Sequence, residues 1–178
     1  MMIRQKKNRI VLVTGDGKGK TTAALGMVVR AAGHGMRVCV VQFIKQQRNT
    51  GESRALALLP GVELHVCGQG FVTTAAGAAF DSHAQAAREG LRLAAEKLRD
   101  PAYGMVVLDE VCGAVSCGLL KAQEVREAIQ DAAPGTAVVL TGRNACPDLI
   151  GMADTVSRVE CVKHGYEAGW PAQPGVEL

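Results

Sequence analysis

Three glycines and two lysines fall within eight residues, Gly15 to Thr22 (GDGKGKTT), between the apolar run RIVLV and the apolar-periodic AALGMVV. A glycine-rich turn that leaves a buried strand and enters a helix points backbone N–H groups at one spot, and the helix dipole adds partial positive charge there. The chemistry indicated is phosphate binding. Gly19, Lys20 and Thr21 match the end of the pattern G-x-x-x-x-G-K-[ST], while the first glycine of that pattern falls on Thr14. In this reading Gly15, Asp16, Gly17, Lys18, Gly19, Lys20, Thr21 and Thr22 wrap the phosphates. Lys20 neutralises their oxygens and the Thr21 hydroxyl ligates Mg2+.

The second half of such a site is an apolar strand ending in carboxylate, and MVVLDE supplies it. Asp109 and Glu110, taken to sit at the exposed end of that strand, form the expected Mg2+ station. Arg143, in TGR at the end of another apolar run, places a guanidinium within reach of the same phosphates. These residues indicate what is held, a nucleoside triphosphate with Mg2+. They do not indicate which bond of it breaks.

Positioning these groups takes several strands ending at one edge of a sheet. Short β-branched runs at 9–14, 37–43, 62–67, 105–108, 137–141 and 155–161 alternate with helical patterns, the signature of an α/β fold: a mostly parallel central sheet of about six strands flanked by helices. Several runs are continuously apolar, as strands buried on both faces are. Ala84, Ala87, Leu91, Ala94, Ala95 and Leu98 recur at helical spacing, and so do Val125, Ala128, Ile129 and Ala132. Asp81 and Pro101 bracket the first of these helices. The irregular stretches IKQQRNTGESR, GQGFVTTAAG and the tail KHGYEAGWPAQPGVEL each follow a strand, where loops of an open α/β sheet build the ligand site.

At 178 residues and 48% hydrophobic, the chain fits a single domain over 1–178 with a core that needs no metal or disulfide. A formal charge of +3 is far from the dense basic footprint that a nucleic acid backbone requires. Six cysteines without C-x-x-C spacing indicate reduced core thiols rather than a zinc or redox site. The apolar run after the basic start lasts only from Ile10 to Val13, too short for a signal-peptide core or a membrane span. A soluble, cytoplasmic protein is expected.

The strings TGDGKGKTTAALG, VVQFIK, GES, VVLDE, LTGR, ADTVS and VKH, in this order from about Val11 to the C-terminus, resemble the phosphate-loop type of ATP:corrinoid adenosyltransferases. The resemblance implies a P-loop NTPase-like (RecA-like) fold and a homodimer. It implies transfer of the 5′-deoxyadenosyl group of ATP to the Co(I) of a corrinoid, cobalamin or cobyrinic acid a,c-diamide, reduced by a flavoprotein, with intact triphosphate released. Members of the family hold ATP reversed along the loop, leaving C5′ open. Co(I) is itself the nucleophile, so the protein has to orient C5′ and stabilise the departing triphosphate. Lys18, Lys20, Thr21 with Mg2+, and Arg143 suit that work, with Lys20, Glu110, Phe71 and Arg143 as the catalytic set.

The chain departs from the family pattern in three places. Its arm before the first strand is short, so a helix that longer members lay near the site is not expected. Asp16 stands where the family has Asn or Asp, and a carboxylate beside phosphates repels them unless it faces ribose hydroxyls or Lys18. Thr73 stands where the family pattern GFTW has tryptophan, leaving Phe71 without its paired indole and Trp170 as the one tryptophan in the chain. Two other classes remain compatible with the phosphate loop: an ATPase or kinase transferring the γ-phosphate, which would release ADP, and a carrier of corrinoid or nucleotide without turnover.

Overall fold

The computed structural model describes residues 7–46, 50–73 and 75–176. Most of the arm before the first strand, three residues of the loop after the second strand (47–49), Thr74 and the last two residues of the tail lie outside them. Six strands, β1 (Arg9–Thr14), β2 (Arg37–Gln42), β3 (Val62–Val66), β4 (Tyr103–Asp109), β5 (Ala137–Thr141) and β6 (Thr155–Arg158), form one sheet in the order β3-β2-β4-β5-β1-β6. Every pairing is parallel. The phosphate-loop strand β1 and the carboxylate strand β4 are therefore not neighbours, because β5 lies between them. This is the expected α/β, P-loop NTPase-like arrangement.

Alternation along the central strands sends side chains to two cores. Val38, Val40, Val107 and Val139 pack under α1 (Lys20–Gly33) and α2 (Gly51–Leu56). Cys39, Val41, Val106, Leu108, Val138 and Leu140 pack under α3 (Ala78–Arg99), α4 (Val111–Ser116), α5 (Ala122–Gln130) and α6 (Pro147–Met152). Burial on both faces explains why β2, β4 and β5 are continuously apolar. The edge strands differ: β3 is half-buried throughout and all four residues of β6 are exposed.

Several boundaries correct the sequence reading. The first amphipathic helix begins at Ala78 rather than near Asp81; Gly77, with φ +90, is its N-cap, and the Asp81 N–H makes a 3.0 Å bond to the Gly77 carbonyl. Asp81 sits in the first turn, where a carboxylate favours the helix dipole. The second spans 122–130, shifted towards its N-terminus, and the Glu124 carboxylate accepts from the Lys121 N–H at 2.7 Å there. Strand β4 starts two residues before Met105 because the buried Tyr103 pairs with Arg37 across Gly104, whose missing side chain hides the pattern. Strand β6 stops at Arg158, since Val159 and Glu160 turn onto the glycine loop. Cys39 and Cys112 are buried, and burial pushes both thiols up to about 12. Cys117 and Cys161 are exposed, so the core reading does not hold for them.

At the opposite end of the sheet Glu63 of β3 gathers a polar cluster. Its carboxylate accepts from Lys97 at 2.7 Å, Tyr103 at 2.6 Å and Arg37 at 3.0 Å. The Arg37 and Lys97 charges lie 4.5 and 4.8 Å from the centre of the Tyr103 ring. The Lys97 bond, then those of Tyr103 and Arg37, hold the Glu63 carboxyl at about 2 instead of its ordinary 4.5. A depressed carboxyl stabilises the fold above its unfolded value and loses that contribution as pH falls towards the folded one. Wild type is therefore expected to lose melting temperature more steeply than Glu63→Gln as pH falls from about 4.5 towards 2. Parallel acid-melting curves would rule this out.

Candidate active site

The glycines of the loop serve different needs. A Cβ on Gly15 would stand 2.3 Å from the Val159 carbonyl oxygen, and one on Gly17 would stand 2.4 Å from that of Glu160. These two are small because the chain leaving β6 lies directly against them, with the Gly17 N–H bonded to the Val159 carbonyl at 2.9 Å. Gly19 has open space around it but a φ of +119, which only glycine adopts without strain. Thr14, standing at the first glycine of the general pattern, is the last residue of β1 and lies buried in ordinary strand conformation. The positive-φ turn falls one residue later, at Gly15 (φ +106).

Behind the loop a buried carboxylate ties three strands to the first turn of α1. Asp109 is 1% exposed. Its Oδ1 accepts from the Thr21 hydroxyl at 2.8 Å and the Thr141 hydroxyl at 2.7 Å, and its Oδ2 from the Gln42 amide at 3.0 Å. Thr141 also accepts the Glu110 backbone N–H at 2.8 Å, so β5 braces both carboxylate residues, while the Thr21 bond to Asp109 joins them to the glycine loop and α1. Asp109 is thus not at an exposed strand end. Of the two, Glu110 lines the cleft. It adopts a left-handed φ of +63 as N-cap of α4, which costs a non-glycine residue about 1–2 kcal/mol and turns its side chain out of the strand.

The cleft over these groups holds about 420 Å3 and is lined by Lys18, Lys20, Thr21, Thr22, Lys45, Glu52 and Glu110, among others. Lys20 is 7% exposed and donates to the Gly17 carbonyl at 2.7 Å, folding its ammonium back on the loop. Burial lowers its pKa, with Glu110 acting in the opposite direction. Burial raises that of Glu110, Asp109 adds to the rise, and Lys20 opposes it. Arg143 is exposed and reaches over the loop to the Asp16 carbonyl at 3.4 Å. Asp16 is exposed beside it.

Four residues in or behind the cleft escaped the sequence reading as individuals. Lys45 bonds Glu52 at 2.7 Å and stands 3.9 Å from Asp109 Oδ2. Gln42 and Thr141 grip Asp109 from the adjoining strands. Lys45 and Glu52 belong to VVQFIK and GES, strings that stood out as units without any one residue being assigned, and Thr141 to LTGR, of which only Arg143 was assigned. Among the described residues no three His, Cys, Asp or Glu side chains converge as metal ligands. A larger hollow of about 840 Å3 lies at the far end of β1, lined by Asn8, Ile10, Ile129 and Met152, and contains none of these residues.

Phe71 is 90% exposed and fills no core space. Its loop is nonetheless pinned: a Cβ on Gly68 would stand 2.2 Å from the Ile44 carbonyl carbon, and the Gly70 N–H bonds the Ile44 carbonyl at 2.9 Å. Phe71 is thereby carried beside the segment that ends in Lys45. Thr73 is exposed on the same loop. Trp170 is 73% exposed, its ring lying on Gly165.

The family described as ATP:corrinoid adenosyltransferase BtuR/CobO/CobP matches residues 6–178. The corrinoid adenosyltransferase of Pseudomonas aeruginosa is 43% identical over 177 residues, covering 98% of this chain and 86% of that protein. Corrinoid adenosyltransferase CobA of Salmonella typhimurium is 42% identical over 177 residues, covering 98% and 87%. The corrinoid adenosyltransferase of Escherichia coli K12 is 40% identical over 174 residues, with the same coverage of 98% and 87%.

Proposed function

The chain belongs to the ATP:corrinoid adenosyltransferase family, and from that premise we propose how its cleft carries out the ATP-dependent adenosylation of a corrinoid. The Co(I) electron pair attacks C5′ of ATP, the C5′–O bond breaks, and the triphosphate leaves with that bond's electrons. The observation that carries the reading is the convergence of Lys18, Lys20, Thr21 and Lys45 on one cleft, a set suited to leaving-group charge rather than to nucleophilic attack. Gly15 to Thr22 hold the phosphates, and Arg143, already over the loop at Asp16, closes on them.

Mg2+ fits this donor set and would neutralise triphosphate charge. Thr21 donates its proton to Asp109 and keeps lone pairs for the metal. Both Asp109 oxygens are taken by donors, so Asp109 acts by orienting Thr21, and Glu110 is the carboxylate free to face the ion in the cleft. A homodimer, a flavoprotein reductant and a cytoplasmic location complete the reading. No helix among the described residues is long and apolar enough to cross a membrane. The test is the product: with ATP, Mg2+ and chemically reduced corrinoid, adenosyl transfer leaves intact tripolyphosphate. ADP would mark a phosphoryl-transfer enzyme, and binding without turnover a carrier.

The corrinoid meets the Phe71 loop, where an unsheltered ring on a pinned backbone can displace the lower axial ligand of Co(II) before reduction. Thr73 offers no indole to pair with it. The enzyme is accordingly expected to favour corrinoids without a tethered lower base, unless Trp170 supplies the missing ring. Phe71→Ala is expected to lower the rate with flavoprotein-reduced corrinoid by about tenfold, the scale of one lost aromatic contact, while ATP affinity holds. Rates with cobalamin and cobinamide for Phe71→Ala, Thr73→Trp and Trp170→Ala decide between the two versions. Equal rates with both corrinoids, unaffected by Phe71→Ala or Trp170→Ala, would remove this assignment.

A further inference from the structure

Beyond β6 the chain makes a self-braced knot and then returns to the nucleotide cleft. In the knot, a 3-10 turn at Gly165–Ala168, the His164 ring accepts the Tyr166 N–H at 3.1 Å, the Trp170 N–H bonds the Gly165 carbonyl at 3.0 Å, and the indole covers Gly165. The following residues bury almost nothing, yet Gly175 and Val176 line the cleft together with Lys45 and Glu52. The Val176 carbonyl accepts a hydrogen bond from the Lys18 ammonium. A turn holds it there: the Val176 N–H bonds the Gln173 carbonyl at 3.0 Å, across Gly175 at φ +80.

We propose that the C-terminal turn Gln173–Val176 is a wall of the ATP site, and that its Val176 carbonyl positions the Lys18 ammonium for the triphosphate. The inference rests on the reading of this cleft as the ATP site. Lysine has three N–H donors, so donation to the carbonyl orients the ammonium and is compatible with donation to phosphate. A lysine on an exposed loop otherwise loses rotamer freedom when it binds, and the carbonyl removes part of that loss beforehand.

The test titrates ATP and inorganic tripolyphosphate into the full chain, a chain ending at Ala172, Lys18→Met, Gly175→Ala, and Lys18→Met in the shortened chain. Shortening is expected to weaken both ligands roughly tenfold, as loss of one positioned charge-assisted bond does. KM for ATP rises and kcat falls with it, because Lys18 belongs to the set that meets the leaving-group charge. Gly175→Ala, whose new Cβ meets nothing but whose φ is unfavourable, is expected to move affinity the same way by less, with no chain removed. It decides the matter if the shortened chain melts lower without ligand. In the Lys18→Met background shortening should cost nothing further. Full affinity in the shortened chain, tighter binding by it, or an undiminished loss in the Lys18→Met background would each overturn the proposal. Failure of the full chain to bind either ligand would instead overturn the ATP-site reading, and this inference with it.

Discussion

Lys20→Ala is expected to abolish turnover and to lower ATP affinity by about a hundredfold, while the ligand-free protein melts no lower than wild type. The two halves of this expectation have different causes. Charge on the departing triphosphate is largest in the transition state, and removal of one positioned donor from such a site costs on the order of 100- to 1000-fold in rate. In the ligand-free protein the same ammonium is buried and satisfied by a single bond to the Gly17 carbonyl at 2.7 Å, with burial lowering its pKa. A buried cation so sparsely compensated contributes little to stability, because desolvation offsets what the bond supplies. Melting with and without MgATP separates the two: the ligand-induced upward shift should vanish in Lys20→Ala and the baseline should not fall. Wild-type kinetics in this variant would remove the phosphate-loop assignment.

Asp109→Asn is expected to damage both the metal requirement and the fold. The sequence alone put Asp109 and Glu110 together at an exposed strand end as one Mg2+ station. The structure separates them. Asp109 accepts from two threonine hydroxyls on one oxygen and from the Gln42 amide on the other. Its amide isostere keeps one acceptor where the carboxylate had two, so that either the Thr21 and Thr141 hydroxyl protons lose their partner at this buried position or the Gln42 amide does. A mismatch of this kind costs about 1–3 kcal/mol, or several degrees of melting temperature in a domain of this size. Glu110→Gln changes a group that faces the cleft, so it should raise the Mg2+ needed for half-maximal activity at an unchanged melting temperature. Mg2+ titrations and thermal melts of the two variants check this together. Equal melting temperatures for Asp109→Asn and wild type would refute the structural half, and unchanged Mg2+ curves in both would refute the metal assignment.

Much of this site is local in sequence and could be read there. Gly15 to Thr22 lie consecutively at a strand-to-helix junction, and the physics that makes such a turn bind phosphate acts within a few residues. The same holds for the run MVVLDE, whose burial on both faces is written in its continuous apolarity. The alternation of apolar runs and helical periods likewise fixed a parallel α/β sheet, and with it the edge at which loops gather. Where local signals were weak the boundaries slipped, as at the start of β4, where Gly104 interrupts the pattern, and at Ala78, three residues before the acidic first-turn marker.

Strand order was decided only in three dimensions, and most of the remainder follows from it. With β5 between β1 and β4, Thr141 becomes the link that bonds Asp109 and the Glu110 N–H together. No spacing in the chain announces that. With β2 on the other side of β4, Gln42 stands in register with Asp109, and the segment leaving β2 carries Lys45 to within 3.9 Å of the same carboxylate. With β6 beyond β1, Val159 and Glu160 press on Gly15 and Gly17, and the tail returns to Lys18. A phosphate cradle can be encoded in eight residues because its ligand contacts are mostly backbone. The groups around it come from separate segments of the chain: the Thr141 side chain lies more than thirty residues from its partner Asp109, and the Val176 carbonyl more than a hundred and fifty from Lys18.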